Sequence, residues 1–293
     1  MAPSRVDIFF RKSWNEQFTA AQFLLRRNLA KIPYAPVPVR MKVAEREDIK
    51  FWWSYLVPYF DRQRHFFDYW GHDLPDLRFL WRTLKPGMTF MDIGAHHGIY
   101  TLVAAKRLAG NGTIVSFEPS VREGRRLRLH LRMNGMNWVR AEGLAIGVVT
   151  SQQDFFQVVD GDSSRGGLKP PDSTDQVKVT SVESIRLDDY VSHAALKRLD
   201  IVKLDVEGGE LDVLAGATNV LEKCRPIFIC EVLDAATHAW KYEAREIVLK
   251  FQSYGFNWFE FRPDGSIAPH QIRERYPEVR NYLAVPSERC PLS

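Results

Sequence analysis

The chain has 293 residues, 45% apolar and 26% charged, long enough to bury a sizeable core. Forty Lys and Arg against 36 Asp and Glu leave a net charge of +4, too balanced to mark a polyanion binder, so no nucleic-acid partner is implied. Three cysteines (Cys224, Cys230 and Cys290) exclude a disulfide framework, and no apolar run approaches the roughly 18 residues that span a bilayer, so a reducing, cytoplasmic setting is expected.

Charge is unevenly placed. Residues 1–50 hold ten Lys and Arg against five acids and end near the proline-spaced stretch 32–38, which forbids a continuous helix. Residues 1–70 therefore read as an N-terminal appendage, helical or extended, that either packs on the main domain or contacts an anionic partner. Its basic arm leaves peripheral contact with a membrane surface open. The aromatic run from Phe51 to Phe60 lines a pocket or covers a sheet edge, with core packing favoured.

From residue 88 onward short apolar runs alternate with amphipathic helical segments, the pattern of an α/β domain, taken as 71–293. Strands are predicted at 89–93, 113–117, 200–204, 226–230, 258–261 and 281–284, and helices near 99–109, 121–133, 209–216 and 241–254. Between 145 and 180 the rhythm breaks, and 154–159 with 176–180 read as a hairpin-like insertion around a glycine-rich loop carrying Ser163 and Ser164.

In an open α/β sheet, ligands sit beyond the carboxyl ends of the strands, and several predicted strands here end in an acid. Asp92 ends the first and leads into the turn Gly94-Ala95-His96-His97-Gly98, while Glu118, 20 residues after Gly98, ends the second. A carboxylate there accepts hydrogen bonds from a pair of ribose hydroxyls. The turn lacks the middle glycine of a dinucleotide fingerprint, which weighs against NAD(P). Its leading acid suits the positively charged end of S-adenosylmethionine. Asp205 and Glu231 end adjacent strands at the same edge, and either, or His97, is a candidate base. Helix capping is the plain alternative for Asp205, and helix-dipole complementation for Glu207 and Glu210. The carboxylates of Asp205 and Glu231 also suit Mg²⁺ or Ca²⁺, though no third ligand is evident and no metal site is assigned. His96 reads as a residue that tolerates a positive φ.

Asp92-Ile93-Gly94-Ala95-His96-His97-Gly98, Phe117-Glu118-Pro119, Asn134-Gly135, Leu187-Asp188-Asp189-Tyr190 and Lys203-Leu204-Asp205-Val206-Glu207-Gly208-Gly209-Glu210 together resemble the FkbM-type S-adenosylmethionine-dependent methyltransferases. The resemblance covers about residues 75–235. It implies a class I methyltransferase (Rossmann-like) fold, a seven-stranded, mostly parallel sheet with one antiparallel strand and helices on both faces. It also implies O-methylation of a hydroxyl on a small-molecule or glycan-like acceptor. By position, Asp92, Gly94 and Gly98 would line the cofactor's methionine end and Glu118 its ribose, with His96 in the same cofactor-binding turn. Position 96 departs from the pattern, carrying His where the family usually has Asn. Two rivals remain: an adaptor that keeps the fold without donor binding, and an NAD(P)-dependent oxidoreductase.

Overall fold

The computed structural model describes residues 36–44, 47–54, 75–160, 163–172 and 174–289. The first described element is an antiparallel hairpin of β1 (Pro36–Ala44) and β2 (Glu47–Ser54), with Val39 opposite Phe51 and Met41 opposite Ile49. Its sequence alternates: Met41, Val43, Ile49, Phe51 and Trp53 are buried, while Lys42, Lys50 and Trp52 face outward. That two-residue period suits a strand with one face on the core. The described part of the appendage, expected to be helical or extended, is therefore β-structure. Pro36 and Pro38 are tolerated because, among the described residues, no strand pairs with the other edge of β1. The remainder of 1–70 lies outside the described residues.

The elements that follow are α1 (Pro75–Thr83), β3 (Thr89–Ile93), α2 (Ile99–Leu108), β4 (Thr113–Phe117), α3 (Val121–Met133), β5 (Arg140–Glu142) and β6 (Ala145–Gly147). Next come β7 (Ser151–Asp160), β8 (Gln176–Arg186), α4 (Leu187–His193), β9 (Ile201–Leu204), α5 (Glu210–Ala215), β10 (Ile227–Glu231), α6 (Asp234–Thr237), α7 (Arg245–Ser253), β11 (Phe256–Phe261), β12 (Ile267–Pro269) and β13 (Asn281–Pro286).

The main sheet runs β12-β11-β13-β10-β9-β3-β4-β5. The five strands β5, β4, β3, β9 and β10 are parallel, β13 is antiparallel to both β10 and β11, and β12 is antiparallel to β11. The expected seven strands with one antiparallel are thus eight with two, because the three-residue β12 pairs onto the β11 edge. Alternate strand residues feed two cores. Phe90, Ile201 and Leu283 meet the hairpin, α1, α2 and α3, whereas Met91, Val202 and Ala284 meet α4, α5 and α7. The predicted insertion is a second, three-stranded sheet, β6-β8-β7, whose connecting loop folds back through Gly167 onto Phe156. No helix among the described residues is long and apolar enough to cross a membrane.

Candidate active site

The parallel strands share one carboxyl edge, and β13, running the other way, begins there. A cavity of about 1010 Å³ opens along this edge, lined at one end by Asp92, His96 and Glu118 and elsewhere by Tyr100, Asp205 and Glu231. Its size suits a ligand of nucleoside dimensions with a second small molecule.

The donor half is built by the β3–α2 turn. Gly94 and Gly98 hold φ of 84° and 87°, and a Cβ on Gly94 would lie 1.7 Å from the Asp205 carbonyl oxygen, so no side chain fits there. His96 adopts φ 47°, the left-handed conformation expected of it. Its backbone N–H donates to Glu118 Oε2 at 2.8 Å, and Ser120 N–H donates to Oε1 at 2.8 Å. Burial pushes the Glu118 carboxyl up to about 8 and that of Asp92 to about 6. Asp92 Oδ2 accepts from the Thr101 backbone and hydroxyl, tying the strand end to the first turn of α2. Pro119, Leu144, Ala145 and Phe155 supply an apolar slot beside Glu118.

His97 does not join the strand-end acids. Glu123 Oε2 at 2.6 Å and an Arg126 Nη1 at 2.9 Å meet on its Nε2, so that nitrogen is not free to serve as a base. His96 stacks on His97 with centroids 3.5 Å apart, and its Nε2 lies 3.0 Å from Ser163 Oγ on the insertion loop. Burial lowers both imidazoles well below the ordinary histidine value and keeps them neutral. Trp53 of β2 stacks on His130 at 3.9 Å, and His130 Nδ1 donates to the His97 carbonyl. The hairpin thus braces the turn from behind. His96, His97 and Glu123 bring three ligand-type atoms within 4.8 Å of one another. The rings lie only 26° from parallel, so their nitrogens do not converge on one point, and the Arg126 cation occupies the His97 nitrogen.

The second half collects acids around one lysine. Lys203, 1% exposed, places Nζ 2.9 Å from Asp205 Oδ2, while the Asp205 side chain is 30% exposed at the cavity. Burial raises Glu231 well above the ordinary carboxylate range and Asp205 adds to this, so Glu231, beside the ion pair, holds its proton more tightly than an ordinary carboxyl. Glu210 closes the following turn, accepting from Val206 and Gly208 N–H, and burial lifts it to about 7. Glu207 sits in that turn at φ 54°. Helix α5 has no side-chain cap at its N-terminus, so the capping role considered for Asp205 is not used. Sequence reasoning missed Lys203, although a charge inside the apolar strand Ile201–Leu204 is itself a signal. It also missed Asp76, Tyr100 and Asn281, which line the same half.

Residues 92–257, more than half of the chain, match the model of the Methyltransferase FkbM domain. The chain belongs to the FkbM methyltransferase family. This sets aside the NAD(P)-dependent oxidoreductase reading. The 2-O-methyltransferase NoeI of Sinorhizobium fredii (strain NBRC 101917 / NGR234) is 31% identical over 159 residues, 49% of this chain and 63% of that one. Methyltransferase 1 of Beauveria bassiana (strain ARSEF 2860) is 28% identical over 145 residues, 43% of this chain and 57% of the other. The chain thus spans less than two thirds of the length of these relatives. Among solved structures, the precorrin-6y C5,15-methyltransferase of Geobacter metallireducens GS-15 aligns at 12% identity with a TM-score of 0.41, over 72% of this chain and 86% of that one. The FkbM span carries Asp92, Glu118, Asp205 and Glu231, whereas Trp53, Asp76 and Asn281 lie outside it.

Proposed function

We propose that this chain is an S-adenosylmethionine-dependent O-methyltransferase whose acceptor is a hydroxyl of a small or glycan-like molecule. The observation that carries this reading is one cavity that joins the half lined by Asp92, His96 and Glu118 to an acidic half in which Asp205, partly exposed, is ion-paired with Lys203. Glu118 would hold the ribose hydroxyls, the turn Asp92-Gly94-His96-Gly98 the methionine end, and the slot at Pro119 and Leu144 the base. When bound, the donor supplies an electrophilic methyl carbon whose leaving group is a neutral thioether.

Asp205 is the base we assign. Its Oδ1, the oxygen outside the Lys203 contact, takes the hydroxyl proton as the acceptor oxygen becomes nucleophilic, while Lys203 holds the carboxylate in place. Glu231, where it keeps its proton, donates a hydrogen bond and orients the acceptor. The aligned donor and acceptor halves supply the positioning on which an in-line transfer depends.

Calorimetric titration with S-adenosylmethionine, S-adenosylhomocysteine and NAD⁺ tests the donor half. Binding of the first two and not the third, lost in Asp92→Ala and Glu118→Ala, is the expected result, and absence of all binding would favour the adaptor. With labelled methyl donor and a hydroxyl acceptor panel, Asp205→Asn should cut transfer about 10²–10⁴-fold while donor affinity is kept.

A further inference from the structure

Asp76 lies in the first turn of α1, outside the family span, yet is 4% exposed. Leu77 N–H donates to its Oδ1 at 2.9 Å. Its Oδ2 accepts from the Tyr100 hydroxyl at 2.6 Å and from Asn281 Nδ2 at 2.5 Å, and Asn281 Nδ2 also donates to the Tyr100 oxygen at 2.9 Å. Tyr100 of α2 and Asn281 of β13 thus close on one carboxylate oxygen of Asp76 on α1.

The Asn281 amide has only one workable orientation, since the reverse would set its carbonyl against the carboxylate. Its Oδ1 is consequently buried with no hydrogen-bond partner. An orphaned buried acceptor is destabilising, so the bond to Asp76 dominates the local arrangement. The Tyr100 ring, locked by its hydroxyl, carries the Lys203 ammonium 5.1 Å from its centroid, within cation–π range. Lys203 in turn pairs with Asp205.

We propose that Asp76, with Tyr100 and Asn281, is the positioning unit of the acceptor half, fixing the Tyr100 ring over Lys203 and so holding the Lys203–Asp205 pair toward the cavity. The proposal rests on the reading of Asp205 as the base. Asp76 itself is a positioning residue, acting through Tyr100. Four carboxyl groups face Lys203: Asp205 and Glu231 at the strand ends, Asp92 on β3 and Asp76 on α1. Burial alone would depress the ammonium, but the Asp205 carboxylate, first of all, and Asp76 outweigh it and leave Lys203 above the ordinary lysine value.

The test reads Lys203 directly and needs no acceptor. Trace labelling of the full chain with acetic anhydride across a pH series, read by peptide mass spectrometry against exposed Lys106, gives a midpoint and a plateau for Lys203. In Asp76→Ala the midpoint should fall, raising labelling at fixed pH by about tenfold per unit. That variant also removes a charge facing Lys203, so the deciding variant is Tyr100→Phe, which keeps the Asp76 carboxylate and should shift the midpoint in the same direction. Mere loosening would raise the plateau and leave the midpoint in place. A wild-type midpoint in Tyr100→Phe, alongside a lowered one in Asp205→Asn, overturns the proposal. Failure of the base assignment shows elsewhere, as full methyl transfer by Asp205→Asn.

Discussion

Gly94 and Gly110 have nearly the same backbone conformation, with φ of 84° and 85°, but very different surroundings. A Cβ at Gly110 meets nothing within 4 Å, so Gly110→Ala should cost only the left-handed strain, about 1 kcal/mol. At Gly94 the same atom collides with the Asp205 backbone, and Gly94→Ala should cost about 3 kcal/mol or more and abolish S-adenosylmethionine binding. Urea unfolding and calorimetry of the two variants measure the contrast, and equal losses would show that the close approach is unimportant. Glu118 allows a signed test by pH. Its carboxyl sits at about 8 in the folded chain against an ordinary 4.5. Below pH 4.5 it is neutral folded or unfolded. As pH rises toward 8 the unfolded chain gives up the proton first, so the folded state loses stability through that window, by about 1.4 kcal/mol per unit of difference. Glu118→Gln has no such window. Its melting temperature relative to wild type should therefore climb from pH 4.5 to pH 8.5, and a flat difference would refute the raised carboxyl.

Along β2, neighbouring tryptophans face opposite ways: Trp53 is 2% exposed and Trp52 47%. Trp53→Ala removes the ring stacked on His130 and should cost about 3–5 kcal/mol in urea unfolding, against about 0.5 kcal/mol for Trp52→Ala, whose links to Asn134 are backbone ones. Comparable losses would mean that the hairpin does not brace the turn. This alternation was present in the sequence, but Pro36 and Pro38 and the dense aromatic run obscured it, so the segment read as part of an appendage, helical or extended. The strands Thr89–Ile93 and Thr113–Phe117 were legible because a short apolar run ends in an acid or leads into a glycine turn. Three-residue strands such as β5 and β12 have too few positions to show a period. The donor half was legible for a local reason, since Asp92, Gly94, Gly98 and Glu118 stand at fixed spacing within 27 residues. The acceptor half was legible only where strands carry it, at Asp205 and Glu231. Asp76 and Asn281 are 205 positions apart, and only the sheet brings them together.

At the scale of the molecule, the family span 92–257 and the folding unit do not coincide. Strand β13 lies between β10 and β11, pairing Phe228 with Ala284 and Phe259 with Leu283. Leu283 and Val285 belong to one core, and Tyr282 and Ala284 to the other. Helix α1 adds Leu77, Leu80 and Trp81 to the first core, beside the hairpin's Phe51 and Trp53. A chain cut to 92–257 loses all of these, exposes the outer edge of β10 and severs β11 after its first two residues. Burial of one large apolar side chain stabilises by about 1.5–3 kcal/mol, and a domain's whole margin is about 5–15 kcal/mol, so the cut chain should have no cooperative melt. The full chain, by contrast, should melt cooperatively and gain about 2.7 kcal/mol at S-adenosylmethionine concentrations one hundred times the dissociation constant. Circular-dichroism melts of both chains, with and without the donor, decide this. A cooperative, donor-dependent melt from 92–257 would mean that the donor half is self-sufficient and that α1 and β13 serve the acceptor end alone. The expected collapse would instead make the strand that carries Asn281 and the helix that carries Asp76 conditions of the fold as well as walls of the site.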